Sequence, residues 1–141
     1  MQQFSLIIIG LLFTAQVYAQ QEKKPLLNDK FKGNIAVSGD DDYANTTLSL
    51  QHVYGADMGR FTLDEVYPGN KFSKPAHITT EGDWTVLKGS ATNENATVVE
   101  LDAKGGKRVL YFLRLKNGNL QQLDLSLHEL PPASKHILRK Q

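Results

Sequence analysis

Glu65 is the side chain whose position asks most of the chain around it. Phe61, Leu63, Glu65 and Tyr67 recur every second residue, so an extended strand turns all four to one face. If that face lines an interior, the carboxylate needs a partner or its charge becomes costly. Arg60, Arg114 and His52 are the expected partners. Two roles follow: a polar anchor, with Tyr67 and His52, for a bound ligand, or an ion pair at the end of a barrel that supports the fold. Metal chemistry rests on four His (52, 77, 128 and 136) and on Met58. None of the His stands at His-x-His or His-x-x-x-His spacing, but a β-barrel could bring His52 to His77. Asp40-Asp41-Asp42 offers three hard oxygen ligands without the alternating spacing of a calcium loop; a solvated acidic turn is the simpler expectation. Trp84, Tyr54 and Tyr67 are aromatic candidates for lining an apolar pocket or filling a core. No nucleophile elbow, zinc-protease pair, P-loop or dinucleotide fingerprint is present, so no enzyme activity is expected.

The elements that must position these residues read as strands. Leu48, Leu50, His52 and Tyr54 alternate along 46–54, and Thr97, Val99 and Leu101 along 97–101. Residues 109–115 are apolar on both faces, 120–125 form another short run, and Trp84 sits in the strand-like Gly-Asp-Trp-Thr-Val. Pro68-Gly69-Asn70, Gly105-Gly106 and Asn117-Gly118 punctuate them; Asn-Gly suits a two-residue hairpin turn. About seven strands joined by tight turns predict an all-β fold, a small antiparallel meander barrel. Residues 20–30 read as a flexible leader, 31–127 as the barrel, and 128–141 as a tail whose Ile137 and Leu138 could dock as a last strand or short helix.

Composition narrows the class. The chain has 141 residues, 16 basic and 15 acidic, with 40% hydrophobic residues. This is one ordinary globular domain without the basic excess of a nucleic-acid binder. There is no Cys, which excludes disulfides, zinc–thiolate sites, iron–sulfur clusters and a thiol nucleophile. Residues 4–15 are apolar and uncharged, followed by Val17 and Ala19 at cleavage-site positions. The pattern predicts a signal peptide over 1–19, with an uncleaved anchor as the alternative. The mature protein is then exported, without a membrane-spanning helix, and monomeric.

The order Phe61-x-Leu63-x-Glu65-x-Tyr67, Glu81-Gly82-x-Trp84, Val99-x-Leu101 and Leu120-x-x-Leu123-Asp124 resembles the N-terminal domain of NlpE-type copper-resistance proteins, over about residues 31–127. The resemblance implies a lipocalin-like barrel and a role in copper tolerance and envelope-stress sensing in the periplasm or cell envelope. Ser38-Gly39-Asp40-Asp41 stands where that family carries Cys-x-x-Cys, and the lipoprotein Cys is also missing. Thiolate chemistry and the lipid anchor therefore do not carry over. No cofactor is expected; copper is the metal the resemblance would imply. The expected function is non-catalytic sensing or binding through an envelope protein partner or a small ligand. The alternative is a lipocalin-like carrier of a small apolar or amphipathic molecule.

Overall fold

A computed structural model describes residues 24–36, 43–131 and 135–141. Eight strands run β1 (Leu26–Ala36), β2 (Tyr43–Val53), β3 (Met58–Tyr67), β4 (Ala76–Lys88), β5 (Thr97–Ala103), β6 (Val109–Arg114), β7 (Leu120–Leu123) and β8 (Ile137–Lys140). Each pairs antiparallel with the next, and β8 pairs with β1, closing an all-β meander barrel. Closure covers the edges an open sheet would expose, although β8 lies beside only Phe31–Gly33 of β1. The expected signal peptide (1–19) and Asp40-Asp41-Asp42 lie outside the described residues. Among the described residues, no helix is long and apolar enough to cross a membrane.

Two expected boundaries change. Five residues of the expected leader, Leu26–Lys30, belong to β1, paired with Ser49–Val53 of β2. The expected tail contributes β8, so the barrel has eight strands rather than about seven. Of the two roles expected for Ile137 and Leu138, the last strand is the one formed, and each of the two elements is weakly marked in sequence for its own reason. Beside Leu27, Phe31 and Ile35, the inward row of β1 also contains Asp29 and Gly33, which blur the alternation. β8 is only four residues long, with one fully buried apolar side chain, Leu138.

Alternation fills the interior. Phe31 and Ile35 of β1, Leu48 and Leu50 of β2, and Phe61 and Leu63 of β3 are buried. Trp84, Val99, Leu101, Phe112, Leu120 and Leu138 meet them from the other strands in one continuous core. This is the side-chain-filled state available to an eight-stranded barrel. On β6 only Phe112 is buried, and its outward Val109, Tyr111 and Leu113 are half-covered. The apolarity of both faces of 109–115 thus corresponds to a strand flanked by β5 and β7, with Phe112 in the core and an outer row of intermediate exposure.

The seam at β8 is short. It contacts β1 through Phe31↔Lys140, Lys32↔Arg139 and Gly33↔Leu138, and β7 through two further pairs. Gly33 is required by close approach: a Cβ there would lie 2.2 Å from the Ile137 carbonyl oxygen. Beyond Gly33, the Gln122 side chain replaces the missing strand. Its Oε1 accepts from the Ala36 N–H at 3.0 Å and its Nε2 donates to the Ala36 carbonyl at 3.1 Å. A side-chain amide thus makes the reciprocal pair that a β8 peptide would have made, leaving neither Ala36 group unpaired.

Candidate functional site

The structure divides the expected site residues between opposite ends of the barrel. Glu65 and Tyr67 lie at one end and His52 at the other. His52 pairs with Gly59, six residues from Glu65 along β3, which at strand rise is about 20 Å. They do not form one site.

At the Glu65 end the carboxylate points inward and is fully buried. Its partner is Arg108, not Arg60, Arg114 or His52. Arg108 Nη1 donates to Glu65 Oε1, and Nη2 donates to Oε2 at 3.3 Å. The Tyr67 hydroxyl also donates to Oε2, at 3.3 Å. Arg108 comes from the hairpin between β5 and β6, where Gly105 and Gly106 adopt φ of 84° and 68°. The Ala103 N–H bonds the Arg108 carbonyl at 2.9 Å, holding it there. Burial, and then the negative charge of Glu65, raises the Tyr67 pKa above its ordinary value, with Arg108 opposing; the hydroxyl stays a donor. The forked guanidinium contact satisfies both carboxylate oxygens. The ion pair fills the interior at this end, and a shallow hollow of about 580 Å³ lies outside it, lined by Ile78, Thr80, Ala103, Lys104 and Arg108.

The His52 end is open. His52 Nε2 lies 3.0 Å from Asp29 Oδ2, and Nδ1 lies 3.3 Å from the Val53 carbonyl. The Trp84 indole meets the imidazole edge-on, with ring centroids 5.8 Å apart and planes at 85°. Trp84 reaches across β3 so that its Nε1–H donates to the Gln51 carbonyl at 2.9 Å. Gly59 makes this crossing possible, because a Cβ there would sit 2.9 Å from that indole nitrogen. Above Trp84 and Leu50 is a hollow of about 300 Å³, also lined by Asp29, His52, Arg114 and Lys140.

Other expectations separate. Tyr54 is not in the strand row with His52; it lies past the end of β2 and is 72% exposed, so it lines no pocket with Trp84 or Tyr67. His52 and His77 do not converge. His77 sits on the outer wall of β4, 3.4 Å from Asp64, while His52 faces inward at the other end. Met58 is exposed, His128 lies 3.8 Å from Asp124, and His136 is buried. Among the described residues no three His, Cys, Asp or Glu side chains gather as a metal site.

Asp29, Arg108 and Lys140 were missed from sequence. For Asp29 and Lys140 a signal existed: each continues the inward row of its strand. For Arg108 there was none, since it lies outside any strand and 43 residues from Glu65.

Fold and site define a class: a filled antiparallel barrel, with a buried ion pair at one end and a charged mouth at the other. No family model matches the chain, and no curated protein or solved structure matches it either.

Proposed function

We propose that this is a non-catalytic binding protein of the cell envelope, of the NlpE-like kind, that recognises its target at the barrel rim. The observation that carries this reading is the filled interior. Phe112, Leu48, Leu63, Leu101 and Leu138 occupy the space in which a hollow barrel would carry a ligand. Recognition is left to the ends and the outer wall, and the Glu65 end is occupied by its own ion pair. The role in copper and envelope stress that the resemblance suggests would then run through rim recognition of a ligand or partner. The lipocalin-like carrier is the second reading, favoured only by the open mouth beside Trp84; any ligand it held would sit there, not in the barrel centre.

The test is native mass spectrometry of the protein from its own envelope fraction, with and without added copper. A bound mass recovered chemically unchanged, and lost when mouth residues are altered, supports the reading. A ligand lost only on variation of central residues such as Leu63, or one released as a reaction product, refutes it.

A further inference from the structure

The mouth at the His52 end is polarised around its rim. On one arc β1 supplies Asp29, β2 supplies His52, and the following hairpin supplies Asp57. The Asp57 carbonyl accepts from the Val86 N–H at 2.9 Å, which ties that hairpin to β4. On the next arc β8 supplies Lys140 and β6 supplies Arg114. Among the described residues neither cation has a carboxylate within salt-bridge distance, although both belong to the inward rows of their strands. Lys140 is steered over the hairpin after β6, where its stem passes 3.4 Å from where a Gly118 Cβ would be. Between the arcs the floor is apolar: Phe31, Leu50 and the Trp84 indole.

A simple anion meeting Arg114 and Lys140 is repelled by Asp29 and Asp57, and a simple cation meets the converse. A ligand with both charges satisfies both arcs, and like-charge repulsion then discriminates against singly charged competitors. We propose that this mouth binds a small dipolar ligand of amino-acid or dipeptide size. Its carboxylate lies toward Arg114 and Lys140, its ammonium toward Asp57 and Asp29, and its apolar body on Trp84 and Leu50. The inference rests on the rim-recognition reading and names its ligand class.

Trp84 is the chain's one Trp and forms the floor, so its fluorescence reports occupancy. The full-length protein is titrated with L-phenylalanine and leucyl-phenylalanine, and with three controls: 3-phenylpropionate, phenethylamine and inorganic phosphate. At least one zwitterion is expected to bind saturably and about tenfold or more tighter than each control, since each charge-assisted contact supplies roughly that factor. Arg114→Gln and Lys140→Gln should each weaken that zwitterion and 3-phenylpropionate together, while phenethylamine, relieved of like-charge repulsion, binds no more weakly. Asp57→Asn should weaken the zwitterion and phenethylamine, while 3-phenylpropionate, relieved of like-charge repulsion, binds no more weakly. These positions are exposed at the mouth, so all three variants should melt with the parent protein, and should one fail to fold the remaining two carry the test. Equal binding of 3-phenylpropionate or phosphate, or no saturable change with either zwitterion, overturns the proposal. If native mass spectrometry still finds a ligand lost with mouth variants, rim recognition stands and only the dipolar ligand class falls.

Discussion

Replacing Arg108 by Gln should destabilise the barrel more than replacing Glu65 by Gln, although both remove the same ion pair. Glu65 is fully buried, whereas the Arg108 side chain is 27% exposed. In the Glu65→Gln protein the guanidinium can turn to water, and the amide retains polar contacts; the cost is about 1.5 kcal/mol. In the Arg108→Gln protein the carboxylate stays inside with only the Tyr67 hydroxyl at 3.3 Å. Stranding one member of a buried pair costs about 3–5 kcal/mol, and the position at a barrel end, where some water reaches, sets the expectation near 3 kcal/mol. For a domain of this size that is about 12 °C in melting temperature, against about 6 °C for Glu65→Gln. Urea unfolding measures the difference; guanidinium salts would screen the interaction under study. Replacing both residues, Glu65→Leu with Arg108→Met, should recover most of the loss, because an apolar pair carries no desolvation penalty. The reasoning is refuted if Arg108→Gln costs no more than Glu65→Gln, or if the apolar pair is the least stable of the three.

The seam supplies three further tests. Gln122→Ala removes both bonds to the Ala36 backbone and should cost about 2 kcal/mol, with faster hydrogen exchange at the Ala36 amide; unchanged exchange would contradict the strand-substitute role. Gly33→Ala forces a methyl against the Ile137 carbonyl and should cost about 1–3 kcal/mol, seen as loss of amide protection along β8 before the rest of the barrel. His136 stands just before β8, with its Nδ1 unpaired among the described residues and its ring 5.5 Å from that of Tyr43. Burial lowers its pKa; the Pro131 backbone opposes this and Lys135 adds to it. Because the folded pKa lies below the unfolded one, the unfolded chain takes up the proton first. The stability from the neutral ring is complete above about pH 6.5 and is lost as pH falls through the folded pKa. His136→Asn should flatten that part of the stability–pH curve, and identical slopes would count against it.

Much of the barrel was legible because alternation is a strong signal where a strand has one wet and one dry face. The row Phe61, Leu63, Glu65, Tyr67 is inward as its spacing implies, and the Gly-Gly and Asn-Gly turns lie in hairpins where three glycines, Gly105, Gly106 and Gly118, adopt positive φ. The closing strands were harder. Inward positions near a barrel end need not be apolar, because the mouth is wet, so Asp29, Arg114 and Lys140 look like surface residues in sequence. The partner of Glu65 was illegible for a different reason. Barrel closure, not local pattern, brings the β5–β6 hairpin to the end of β3; of the expected partners, Arg60 lies on the opposite face of β3 from Glu65, and Arg114 and His52 lie at the other end of the barrel. Register also separates His52 from His77: residue parity turns one inward and the other to the outer wall.

Methyl and indole NMR during titration with the envelope extract tests the central claim that recognition happens at the rim of a filled barrel. The account predicts shifts confined to Leu50, Val86 and the Trp84 indole at the His52 end and to their direct neighbours, with Leu63 and Ile35 unmoved. Progressive shifts of Leu63 and Ile35 would mean that the interior opens to hold the ligand, and would contradict it.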